Sequence, residues 1–240
     1  RSVLDEGVVE TPVLAIASLR REVLRMVQLC EAMLTPVMDV YRSGDKDHAR
    51  AIIAQDQNLN QALDGVRRFM ATVPTDSMSK EERALSHDLV EYAIAIETAG
   101  DIVVKRLVPR ALQKSKEKVQ FSRDGFRELC DLHEQVLSNF SLASNVLISE
   151  DLESARLLLE EKTEDASRER SSRKNHLIRL QAGAEISFES SNIHLETLRA
   201  LKDLNSQIAT VAFPILLRGG QLLETRLIMN MDEGAIEQNS

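Results

Sequence analysis

Glu97 and Asp101 stand one helical turn apart in the stretch ETAGDIVVKRLVP, residues 97–109, so both carboxylates project from the same side of one helix. Like charges at that spacing cost an isolated helix roughly 0.2–0.5 kcal/mol, and burial without a partner costs far more. Asp56 and Asn60 repeat the spacing on a neighbouring helix, where Asp56 takes a slot in which an apolar residue is expected. Two antiparallel helices would bring Asp56, Asn60, Glu97 and Asp101 into one oxygen-lined pocket. Such donors suit a hard or intermediate cation, a divalent ion such as Mg²⁺, Ca²⁺ or Mn²⁺, or iron. The competing reading is that Arg50, Arg67 or Lys105 neutralises the acids. A third pair, Glu161 and Asp165, lies in EEKTEDASRERSSRKN, which has hardly an apolar residue. That helix reads either as a solvated face or as a polar interior in which Lys202 pairs with Glu161 or Asp165.

Other chemistry finds little support. None of the five histidines completes the Glu-x-x-His pattern of a di-iron bundle, and Cys30 and Cys130 lack the spacing of a zinc site. No Gly-rich phosphate loop, HExxH or GxSxG occurs. The expectation is a non-catalytic protein without an organic cofactor. A net charge of −8 disfavours general nucleic-acid binding, although KRLVPRALQKSKEK is locally basic. No run of about 18 apolar residues spans a bilayer, and two cysteines among apolar helical residues read as free thiols.

The elements that must position these residues are helices. Only 9 Gly and 5 Pro interrupt 240 residues, aromatics make up 3%, and Trp is absent. Leu, Ala, Glu, Arg and Lys dominate, as in an all-α protein. Thr11-Pro12 opens a first helix that Pro36 bends and that runs to Tyr41. A second carries Ala49 to Met70. A capping box, Ser79 to Glu82, opens a third that runs to Leu107 and meets Pro109. Ser122 caps a fourth reaching Ser149, a fifth runs from Glu150 to Gln181, and a sixth from Ser187 to Arg218. Gly219-Gly220 ends the sixth, and a short segment, QLLETRL, follows. On the third helix, Leu85, Leu89, Tyr92, Ile96, Ala99, Val103 and Leu107 form the buried stripe, with Glu91, Thr98, Ile102 and Arg106 on the outer face.

The chain also repeats itself. SGDKDHARAII at 43–53 matches SEDLESARLLL at 149–159, and VKRLVP at 104–109 lies over ATVAFP at 209–214. The expected architecture is a tandem pair of three-helix bundles, residues 1–118 and 119–240, forming one elongated six-helix molecule. In the second copy Lys202 and Ser206 stand where the first has Glu97 and Asp101, so the acidic pair is not a demand of the fold.

The tandem units and the Glu97-x-x-x-Asp101 motif resemble the PhoU family of phosphate-signalling proteins. ETPVLAIASLRREVLRMVQLCEAML (10–34), GDIVVKRLVPRALQKSKEKVQFSRDGFREL (100–129) and SSNIHLETLRALKDLNSQIATVAFPIL (190–216) are similar to the cytosolic PhoU-like tail of bacterial sodium/phosphate cotransporters of the NptA type. The resemblance implies six helices and metal held by acid-x-x-x-Asp motifs. Glu97 and Asp101 fit that motif well and Asp56/Asn60 in part. Glu161/Asp165 fit as a degraded second site. It further implies a regulatory domain of a sodium-dependent phosphate transporter, modulating phosphate uptake at the cytoplasmic face of the bacterial inner membrane. Its partners would be the transmembrane part of the same parent chain, a phosphate-signalling protein, or a second copy. A chain that begins with Arg1 rather than Met reads as a piece of such a protein. The alternative is a stand-alone adaptor acting in trans on a histidine kinase or transporter.

Overall fold

A computed structural model describes residues 2–220, and all of its long elements are helices. The first rod is α1 (Pro12–Leu34) followed by α2 (Val37–Ser43). Pro36 separates them because it lacks a backbone donor. The break leaves the Leu34 carbonyl accessible, and His133 Nε2 donates to it at 2.9 Å. Next come α3 (Lys46–Thr72) and α4 (Lys80–Ile102), the latter opened by the expected Ser79–Glu82 capping box.

α4 does not stop near Pro109. It widens into a π turn, Val103–Leu107, and continues as α5 (Val108–Lys116). The wider turn makes room for a proline ring that would clash with the carbonyl four residues back in a regular helix. α6 (Arg123–Ser149) and α7 (Leu152–Gln181) follow. The expected sixth helix is three pieces: α8 (Glu185–Glu189), α9 (Ser191–Ala209) and α10 (Ala212–Arg218). The QLLETRL segment lies outside the described residues.

α1, α3 and α4 pack on one another, as do α6, α7 and α9, and α4 against α9 and α1 against α6 join the triplets. The buried apolar side chains form one continuous core. The internal repeat is visible in backbone geometry. Gly44 and Glu150 both adopt positive φ, 68° and 53°, and the next residues, Asp45 and Asp151, each cap the following helix. The π turn before Pro109 has its counterpart in the break between α9 and α10 before Pro214.

The chain's two tyrosines fasten the triplets together. Tyr41 donates to Leu107 O at 3.1 Å and lies 2.8 Å from Thr197 Oγ1, while Tyr92 donates to Ile208 O at 2.9 Å. Arg106 does the same electrostatically, with Nε 2.9 Å from Glu196 Oε1 and Nη1 2.7 Å from Asp203 Oδ2. The face expected to be outermost is therefore exposed only at its start, at Glu91, and is covered further along. Ile102 is buried and Arg106 half-buried, because α4 has α9 on the side away from its main stripe.

Candidate acidic site between α3 and α4

Gly100 lets α3 and α4 approach closely. A Cβ at this position would stand 2.4 Å from Leu59 Cδ2 and 3.6 Å from Asp56 Oδ1. Around that contact the sequence-expected acids come together. Asp56, Glu97 and Asp101 are each half-buried, while Asn60 is exposed and donates to Asp56 Oδ2 at 3.1 Å. Asp56 Oδ1 is buried without any hydrogen-bond partner.

Burial pushes the Asp56 carboxyl above its ordinary range, and Asp101 adds to the shift against the opposing Asn60 and Lys105. Glu97 is raised likewise, by burial first and then by Asp101 and Asp56. The cluster is thus short of positive charge. What compensation there is comes from Lys105, one turn beyond Asp101, whose Nζ lies 2.6 Å from Asp101 Oδ2. The other candidate neutralisers are engaged elsewhere: Arg50 bonds Asp47, and Arg67 lies 3.6 Å from Asp64, though its charge still reaches Glu97.

The donor set is all oxygen, and the orphaned Asp56 Oδ1 is the kind of atom a cation would satisfy. In the arrangement seen, however, no three His, Cys, Asp or Glu side chains among the described residues lie close enough together to hold one metal ion.

The second half is built differently. Asp165 is 1% exposed, and its Oδ2 accepts from Asn139 Nδ2 at 2.7 Å and Asn205 Nδ2 at 3.1 Å. The expected partnership with Lys202 does not form; two amides from α6 and α9 take that role. Glu161 stays half-buried and accepts from Gln135 Nε2 at 3.4 Å. Asp165, Glu169, Ser172 and His176 continue the buried stripe of α7 that Ala155 and Leu158 begin, so this polar-looking helix faces inward. Their spacing of four, three and four was a helical signal that a search for apolar residues passes over.

By the repeat, Asp56 corresponds to Lys162 and Glu97 to Lys202. The two lysines feel each other's charge: burial, then Lys202, pushes the Lys162 ammonium below its usual range, and its Nζ lies over the Phe213 ring at 5.3 Å. The acidic cluster of the first half has a basic counterpart in the second.

Residues 23–105 match the family model described as the PhoU domain. The chain is 32% identical over 213 residues to a Salmonella typhimurium LT2 protein, YjbB, whose name assigns it provisionally to inorganic phosphate export. The protein of the same name from Escherichia coli K12 is 30% identical over 213 residues. These matches cover 89% of this chain but 39% of either relative, so the chain spans about two-fifths of their length. Among solved structures, PhoU from Pseudomonas aeruginosa superposes with a TM-score of 0.76 at 16% identity, over 85% of this chain and 97% of that one. The phosphate transport system regulatory protein PhoU from Streptococcus pneumoniae gives 0.75 at 16% identity, over 89% and 100%.

Proposed function

We propose, from the premise that this chain contains a PhoU domain and has the PhoU fold along its described length, that it is the regulatory domain of a sodium-coupled inorganic phosphate transporter. It would act without catalysing a reaction, at the cytoplasmic face of the membrane. The family match and the phosphate-related names of its relatives support the phosphate reading. No helix among the described residues is long and apolar enough to cross a membrane, so the transporting part would be a separate domain. A direct adaptor role in trans is the second reading, favoured by the superposition on the whole of a free-standing PhoU chain.

The observation that carries the regulatory reading is the π turn. Within it, adjacent residues look in opposite directions: Lys105 holds Asp101 of the acidic cluster, and Arg106 holds Glu196 and Asp203 of the second triplet. We infer that a divalent or iron-type cation competes with Lys105 for Asp56, Asn60, Glu97 and Asp101. Such an ion would supply the positive charge the cluster lacks. Freed of Asp101, Lys105 would move away from the cluster, and the field at the neighbouring Arg106, which holds α9, would change. Single π turns within α-helices are often found at functional sites. The degraded pair Glu161 and Asp165 is not part of the device.

Two measurements test the proposal. Removing residues 1–240 from the parent transporter should abolish the response of phosphate flux to phosphate supply while basal flux continues; an unaltered response rejects it. The flux assay also distinguishes the export direction in the relatives' name from the uptake implied by the NptA-type resemblance. Elemental analysis should find metal in the unaltered protein and much less in Glu97→Ala and Asp101→Ala. Equal content in all three removes the cation from the account.

A further inference from the structure

A second site lies where the connector after α5 turns into α6. Here a cavity of about 250 Å³ is lined by Arg42, Lys114, Ser122 and Arg123 around Phe121 and Phe126. Three of its lining residues are cations and none is acidic, in a protein whose net charge is −8. We propose that this pocket binds a phosphoryl oxyanion, as free inorganic phosphate or as the headgroup of an anionic lipid.

Four features of the cavity bear on the ligand. Lys114 is half-buried and makes no ion pair among the described residues; its Nζ rests 5.5 Å from the centre of the Phe121 ring. Burial alone pushes its ammonium below the usual range, so an anion beside it would relieve an existing desolvation cost. Arg123 is exposed and likewise has no carboxylate partner among the described residues. Arg42 is already bonded to Asp39 at 2.6 Å and lies over the Phe126 ring at 5.3 Å, so it contributes to the local field more than as a free donor.

The acids in the first turns of α6 pair with other cations. Asp124 pairs with Arg127 at 3.1 Å, and Glu128 with Arg179 at 3.1 Å.

Ser122 and Arg123 form the start of a 27-residue helix. The Ser122 Oγ caps Gly125 N–H at 3.1 Å, and the first amides of any helix lack intrahelical acceptors. That end carries partial positive charge and favours a multiply charged anion. Phe121 is stacked between Tyr41 and Phe126, with ring centres 6.1 Å and 6.0 Å apart. Arg42 lies over Phe126 and Lys114 over Phe121, so the cations and the helix start are the groups that would recognise a phosphoryl ligand. This inference does not rest on the regulatory reading. Binding measures the pocket, flux measures regulation, and either can fail alone.

Calorimetric titration of the 240-residue chain with inorganic phosphate tests it, alongside sedimentation with phosphatidylglycerol vesicles and with neutral phosphatidylcholine vesicles. Saturable phosphate binding weakened roughly tenfold or more by Lys114→Gln and by Arg123→Gln, each folded by circular dichroism, assigns the free anion. Lys105→Gln, outside the pocket's lining, should leave that affinity unchanged. Binding to phosphatidylglycerol alone, with the same dependence on Lys114 and Arg123, assigns the lipid headgroup. Absence of both, or binding that neither substitution weakens, overturns the proposal.

Discussion

Replacing Asp165 by Asn should change how stability depends on pH more than it changes stability at any one pH. Asp165 sits 1% exposed, with one oxygen accepting from Asn139 and Asn205 and the other, Oδ1, buried without a partner. Burial pushes its carboxyl from the ordinary 3.8 up to about 6, against the hydrogen bond from Asn139 and the charge of Arg168. A raised value means that the folded protein holds the proton more tightly than the unfolded chain. The stabilising contribution is therefore complete below pH 3.8 and is lost as pH rises through about 6. The interval corresponds to about 3 kcal/mol. Asn keeps a carbonyl oxygen for both amides but sets an NH₂ group where Oδ1 was, at a cost of about 1–3 kcal/mol that does not vary with pH. The variant should therefore be about 1–3 kcal/mol weaker than the parent at about pH 3, and equal or up to about 2 kcal/mol stronger at about pH 8. Urea unfolding at several pH values reads this difference. Burial lowers His133, His176 and His194, the last to about 3, so these groups lose stability as pH falls below 6.5. Their effect has the opposite sign and is common to both proteins, so subtraction removes it. Parallel profiles for parent and variant would refute the argument.

Two further substitutions test the packing. Arg106→Met keeps the aliphatic contacts but strips Glu196 and Asp203 of their shared cation. With these groups partly exposed, a loss of about 1–2 kcal/mol is expected in urea unfolding, shrinking at high salt; no change would mean that Arg106 does not join the triplets. Gly100→Ala improves helix propensity by about 1 kcal/mol yet forces a methyl against the fully buried Leu59, so a net loss of about 1–2 kcal/mol in thermal unfolding is expected, and a gain would contradict the close approach of α3 and α4.

Much of the scaffold was legible in the residues themselves. Thr11-Pro12, the Ser79–Glu82 box and Ser122 mark helix starts that the structure keeps, because caps and prolines act locally. Pro109 misled for the same reason: it stops an ordinary helix, but not one that has widened by a π turn. The assignment of Arg106 to an outer face failed because periodicity along one helix identifies its most apolar side and says nothing of a second packed side. α7 was ambiguous since its interior is polar, and hydrogen bonds from α6 and α9, distant in sequence, decide that it is an interior. Asp56, Glu97 and Asp101 feel one another's charge, as spacing suggested, but no three acids among the described residues lie close enough to hold one ion. Lys105 had been one of three candidate neutralisers, and only geometry selected it. The pocket of Lys114 and Arg123 draws on both sides of a connector and left no trace in spacing.

The reversal of sign between Asp56 with Glu97 and Lys162 with Lys202 has an evolutionary consequence. Two copies of one fold that carried the same acidic cluster would respond to cations together, and a change in one would be matched by the other. Where one copy has lysines at these two positions, a cation that bound the acidic cluster would act on the two halves unequally. The lysine-bearing half would then be a fixed reference against which movement of the other is measured, and the shared interface along α4 and α9 is where the difference would register. Duplication would then have produced a comparator instead of a larger version of the same sensor.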